Sequence, residues 1–146
     1  MFQQILVAWD GSRPAELAFD VALDLARRYE ADLVAASVAH SPAHAETAGD
    51  RAESVDAARQ YLEETFARVR DRADRAGVPI EHAIIEGDDP AGDLLRHAHE
   101  HGFDLLVVGH HRSRLPGRFL LHGLAERTIA TADIPVLVVS NDHDRG

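Results

Sequence analysis

The sequence predicts an open α/β domain: a mostly parallel five-stranded sheet with helices on both faces. Two observations predict it. Five short apolar runs alternate with four longer stretches whose apolar residues recur every three or four positions. Strands separated by helices need right-handed crossovers, which place the helices against both faces of a parallel sheet. A length of 146 residues fits one continuous core, so a single domain over 1–146 is expected, with 141–146 a frayed tail.

Each element has its own signal. Ile5-Leu6-Val7-Ala8-Trp9 is a continuous apolar run ending at Asp10-Gly11-Ser12, as a buried strand running into a turn does. From Pro14 to Tyr29, Ala15, Ala18, Ala22, Leu25 and Tyr29 share one helix face, and Ser12 is placed to cap it. A second strand is read at Leu33 to Val38, and the polar stretch from Ala39 to Glu53 as a long loop. Val55, Ala58, Leu62, Phe66, Val69 and Ala73 predict a helix from about Ser54 to Ala76, stopped by Gly77. Ile80 to Glu86 reads as a third strand. Pro90 opens a short helix that Gly102 closes. Leu105 to Val108 is the fourth strand, ending at Gly109. A helix from about His122 to Ala132 and a fifth strand, Pro135 to Val139, complete the order. Ligands of such a sheet bind beyond the carboxyl ends of the strands, where Asp10, Val38 and Gly109 fall.

Composition narrows the function. The net charge of −10 repels nucleic-acid phosphates, and no long basic stripe offsets it. No run of eighteen apolar residues is present, so no membrane partner is expected, and the first residues read as a strand rather than a signal peptide. Cysteine is absent, which excludes disulfides and thiolate chemistry. A cytoplasmic location is the expectation. Lysine is also absent, every basic side chain other than histidine being arginine.

Five segments together resemble the universal stress protein family over nearly the whole chain. Ile5 to Ser12 is similar to its first strand and turn, and Glu86-Gly87-Asp88-Asp89-Pro90 to its Gly-x-Pro approach to the third helix. Asp104 to Gly109, followed by two histidines, is similar to its Asp-Leu-Ile-Val-x-Gly-x-His segment. Ala125-Glu126-Arg127 and Ile134 to Val139 resemble its closing helix and strand. The resemblance implies a doubly wound sheet of order 3-2-1-4-5 and a non-enzymatic stress-response binding or regulatory protein. It also implies a homodimer through the fifth strand, where Val136, Leu137, Val138 and Val139 form an apolar edge that needs covering. Cover by a helix or the C-terminal tail of the same chain is the alternative. Further protein partners are compatible with such a role.

The resemblance also locates a nucleotide or anion cleft between the first and fourth strands, at Ala8, Trp9, Asp10, Ser12, Val38, Val108, Gly109, Arg112, Arg114, Arg118, His122 and Gly123. ATP-binding relatives carry Gly-x2-Gly-x9-Gly-Ser/Thr there. Here Gly109 keeps the first position, but Arg112, His122 and Gly123 occupy the other three. A one-residue slide makes Gly123 the third glycine and puts Leu124 at the hydroxyl position, so neither register restores the motif. Weak or absent ATP binding follows. The alternative is a competent ATP-binding member, acting as a nucleotide-dependent switch or slow hydrolase. ATP or another adenine nucleotide, with Mg²⁺, is the cofactor the resemblance allows, though it requires none.

The segment from Gly109 to Gly123 holds Arg112, Arg114 and Arg118 with His110, His111 and His122 and no carboxylate, a local reversal of sign in an acidic chain. Arginine forks could replace backbone contacts to phosphate; a solvated or dimer-facing basic loop is the plainer reading. Asp10 either contacts a nucleoside or caps an ordinary turn. His97 and His101, four apart, share a helix face, but without a His-Glu-x-x-His pattern or cysteine no dedicated metal site is expected. Neither Gly-x-Ser-x-Gly nor Gly-x4-Gly-Lys-Ser/Thr is present, so no catalytic residue is assigned.

Overall fold

Apolar runs too short for helices pair into one sheet. The computed structural model describes residues 1–40, 48–110 and 123–140. Its strands are β1 (Gln4–Ala8), β2 (Asp32–His40), β3 (Ile80–Gly87), β4 (Leu105–His110) and β5 (Val136–Ser140). The helices are α1 (Arg13–Tyr29), α2 (Ala48–Ala76), α3 (Pro90–Glu100) and α4 (Leu124–Thr131). All neighbouring strands are parallel, in the order β3-β2-β1-β4-β5. The predicted fold class and strand order are both present.

Alternation along the strands divides the core into two layers. Ile5, Val7, Leu33, Leu105 and Val107 face α1 and the middle of α2, where Phe19, Ala22, Phe66 and Val69 meet them. Leu6, Ala8, Val38, Leu106 and Val108 face the opposite way, toward Leu94 and Ala98 of α3 and Leu124 and Ala125 of α4. A smaller cluster joins Ala39 of β2 to Val55 and Leu62 near the start of α2. Because β1 and β4 are sealed on both faces, they read as unbroken aliphatic runs.

The local signals act at their own ends. Ser12 caps α1, its Oγ accepting the Ala15 N–H at 3.3 Å, and Pro14 follows in the first turn. Asp89 does the same for α3, accepting from Gly92 N–H. At the other end of the sheet, the Asp104 carboxylate accepts the N–H groups of Gln3 and Gln4 at 2.8 and 3.1 Å and so fixes the start of β1 beside β4.

Several boundaries differ from the sequence reading. β2 continues to His40 and α2 begins at Ala48, so both ends of the long loop read from Ala39 to Glu53 are regular structure, 41–47 lying outside the described residues. The opening turns of α2 carry no large apolar residue before Val55, which left the helical period without a marker. α4 begins at Leu124 with Gly123 as its N-cap, rather than at His122. Pro135 precedes β5 and contributes only its carbonyl, which accepts the Leu106 N–H at 3.0 Å. The tail 141–146 lies outside the described residues.

The polar residues of edge strand β3 are not all solvent-facing. His82 turns inward, its ring 4.3 Å from that of Phe66 and its Nε2 hydrogen-bonded at 2.8 Å to buried Ser37 Oγ. Burial, and then the charge of Arg70, lower its pKa to about 4. The folded protein therefore resists a proton that the unfolded chain accepts near pH 6.5. The sign follows: the contribution is whole above pH 6.5 and is lost as pH falls from 6.5 toward 4. After discounting for partial solvent access, about 2 kcal/mol of stability is expected to disappear across that window. Urea midpoints at pH 7 and pH 4.5 would check it. His82→Gln should flatten the difference; an unchanged slope would assign it to other groups.

Candidate functional site

In a parallel sheet the crevice opens where adjacent strands send their connections to opposite sides. Here those strands are β1 and β4. The chain leaves β1 for α1 on one face and leaves β4 for α4 on the other, with Ile5, Leu6 and Val7 in register with Leu105, Leu106 and Val107. Those predicted site residues that are described gather around the carboxyl ends of the central strands, and they divide into three groups.

Ala8, Val38 and Val108 are buried together in the layer facing α3 and α4, so they form apolar ground beneath the cleft. Trp9 belongs to the opposite layer. Its indole is 1% exposed, packs against Phe19 and Phe66, and donates from Nε1 to Thr65 Oγ1 at 3.2 Å. Its side chain is thus committed to the core, and its fluorescence reports on that core rather than on a ligand.

Asp10 and Ser12 shape the turn after β1. Asp10 Oδ1 accepts the Ser12 N–H at 2.9 Å, an Asx turn, and leaves the carboxylate partly exposed. The turn role expected of Asp10 is therefore present; the second carboxylate oxygen remains for a ligand. The sequence reading missed Arg68. From α2 it brings a guanidinium to this turn, donating to the Gly11 carbonyl at 3.5 Å. The sequence signal was weak, since Arg68 stands 57 residues from its partner in one of several exposed helical positions.

The third group surrounds β4 and α4. Gly109 lies under the first turn of α1: a Cβ there would come within 2.3 Å of the Pro14 carbonyl oxygen. Helix packing thus requires this glycine with or without a ligand. Gly123 takes a left-handed conformation, φ +77°, and offers the first turn of α4 no side-chain cap. Among the described residues no side chain caps that turn, which carries the positive end of the helix dipole. His110 closes β4 and pairs with Glu126 of α4, Nε2 to Oε1, at 2.8 Å. Thr128, two residues further along α4, is fully buried, and its hydroxyl is the only buried side-chain polar atom without a partner among the described residues. Arg112, Arg114, Arg118 and His122 lie outside the described residues.

This architecture agrees with known proteins. The model described as the universal stress protein family matches residues 1–140. The chain belongs to the universal stress protein family. A Staphylococcus haemolyticus protein bearing the same family name is 30% identical over 142 residues, which cover 97% of this chain and 86% of that one. A universal stress protein family structure from Burkholderia pseudomallei shares 34% identity with a TM-score of 0.77, over 94% of this chain and 96% of its own. Another universal stress protein, solved in complex with cAMP, is 27% identical with a TM-score of 0.70, over 94% and 96% of the two chains.

Within this universal stress protein, the contact at Gly109 yields a direct expectation. Gly109→Ala forces a methyl into a backbone oxygen, so α1 must move or β4 must bend. A loss of about 2 kcal/mol or more is expected in denaturant melts without ligand. Wild-type stability would mean that the helix start yields easily, and that glycine is kept there for another reason.

Proposed function

We propose that this universal stress protein is a non-enzymatic regulatory protein that binds a weakly charged adenine nucleotide, such as cAMP or AMP, between β1 and β4, and binds ATP weakly. The observation that carries the reading is the crevice at the β1–β4 switch point, with an uncapped helix start at Gly123 on one side and the Asp10 turn on the other. The relative in complex with cAMP supports the ligand class. The loss of two glycines and a hydroxyl from the phosphate-binding pattern removes the bare backbone that a triphosphate requires.

In this reading Asp10 approaches the nucleoside. The α4 N–H groups, with Arg112, Arg114 and Arg118, hold the phosphate. No general base or nucleophile is assigned, so binding is the whole activity. No described helix is long and apolar enough to cross a membrane, and a cytoplasmic setting is part of the proposal.

Calorimetric titration with cAMP, AMP and Mg²⁺-ATP tests it. Saturable heat with cAMP or AMP is expected, with ATP at least about tenfold weaker, and Arg112, Arg114 and Arg118 changed to Ala should abolish it. Tight ATP binding untouched by those changes, or steady release of inorganic phosphate, would overturn the reading in favour of a nucleotide switch or hydrolase.

The same proposal includes a homodimer through β5. This strand is a sheet edge, its Val136, Leu137, Val138 and Val139 are only partly buried, and Ile129 on neighbouring α4 is 60% exposed. An apolar edge of that kind pairs with its twin or aggregates. Light scattering should give twice the 16.0 kDa chain mass, and Val138→Asp should give the monomer. A wild-type monomer at micromolar concentration would remove this part.

A further inference from the structure

The arginines described along α2 fall into two sets. Arg72 is paired with Glu16 and Asp20 of α1, Arg75 with Asp71, and Arg68 donates to the Gly11 carbonyl. Arg59 and Arg70 have no carboxylate or carbonyl partner among the described residues, although the chain holds 25 acidic side chains against 15 basic ones. Both line one cavity of about 270 Å³ between α2 and the edge strand β3. We propose that this cavity binds a small organic carboxylate with an apolar body, its carboxylate held by the Arg59 and Arg70 guanidinium groups.

Spacing brings the two cations to one place. Arg59, Glu63, Phe66 and Arg70 follow at steps of four, three and four, so they share one face of α2; His82 and Ile84, two apart, share one face of β3. The floor is apolar. Phe66 is buried, and Ile84 packs against the cluster formed by Ala39, Val55 and Leu62. The Arg70 guanidinium lies over the Phe66 ring, 5.1 Å from its centroid, which keeps that fork at the cavity. His82 belongs to the same wall. The buried Ser37 hydroxyl has no other acceptor among the described residues, so it donates to His82 Nε2 and leaves the ring proton on Nδ1, a further donor. The imidazole is neutral near pH 7, and the positive charge here is that of the arginines.

Charge and floor together select the ligand class. Guanidinium forks match a planar carboxylate, and an apolar body covers Phe66 and Ile84. Inorganic phosphate would satisfy the forks but leave that floor uncovered. Glu63 also lines the cavity and is paired with neither arginine, so it opposes a dianion more than a monoanion. The cavity shares no residue with the cleft between β1 and β4, and the proposal stands apart from nucleotide binding.

Two-dimensional NMR titration of the full chain with benzoate, acetate and inorganic phosphate tests it. Benzoate is expected to give saturable shifts of the Ala67 and Ile84 amides, with acetate and phosphate weaker by about tenfold or more. Arg59→Gln and Arg70→Gln should each weaken benzoate by about tenfold, whereas Glu63→Gln should strengthen it. Arg75→Gln, which breaks only the bridge to Asp71, should leave it unchanged. Arg70 is exposed and Arg59 half-buried, so both variants should keep the wild-type spectrum away from the cavity. No saturable shift at about 20 mM benzoate, an affinity untouched by both arginine changes, or phosphate binding as tightly as benzoate would overturn the proposal.

Discussion

The ligand end of this molecule depends on a contact in which no side chain intervenes. At Gly109 the backbone of β4 lies against the Pro14 carbonyl, at a distance that excludes even a methyl group. That approach fixes the start of α1 over the central strands. It thereby fixes the turn from Asp10 to Ser12, because Ser12 caps the same helix and Asp10 holds the Ser12 N–H. One side of the crevice is thus determined by packing before any ligand arrives. The other side, where Gly123 precedes α4, is determined by backbone conformation, since a residue at φ +77° is most easily glycine.

The fold was legible because strand and helix periods alternate cleanly. β1 and β4 are sealed on both faces, so each reads as an uninterrupted aliphatic run, whereas α1 declares itself by its cap, its proline and its alanine-rich stripe. Legibility failed where an element gains nothing from burial. The first turns of α2 hold no large apolar residue, so a helix beginning at Ala48 looked like a loop. Direction was hidden as well. Trp9 adjoins Asp10 in sequence, yet strand alternation sends its indole into the opposite layer. At the cleft, spacing located Gly109 and Gly123 but could not supply their reasons. For Gly109 the reason is Pro14, which comes from a distant part of the chain, and for Gly123 it is a left-handed backbone.

Inside the cleft, much of the polar capacity that sequence placed there is already in use. The Ser12 hydroxyl serves α1, one oxygen of Asp10 serves its own turn, and His110 is joined to Glu126. Among the described residues, what remains for a ligand is mainly the second Asp10 oxygen and the start of α4, which no side chain caps. Two or three charge-assisted bonds of this kind orient a small ligand well. They are too few to hold a long anion along its length.

Electrostatics points the same way. A chain of net charge −10 raises a repulsive potential that each negative charge on a ligand must meet, reduced only by screening over about 8 Å at physiological salt. The unfavourable energy grows with ligand charge, whereas the compensating positive groups are few: Arg68 beside the Asp10 turn, and in the sequence the arginines between Gly109 and Gly123. A cyclic nucleotide carries one negative charge and presents one phosphate to the start of α4. A triphosphate carries about four without Mg²⁺ and needs a second and third phosphate cradled by bare backbone, at motif positions where the sequence has Arg112 and His122 instead of glycine. Mg²⁺ offsets part of that charge but supplies none of the missing N–H donors. On the proposed reading, discrimination between the two ligands follows from what the cleft lacks, and it should sharpen as ionic strength is lowered.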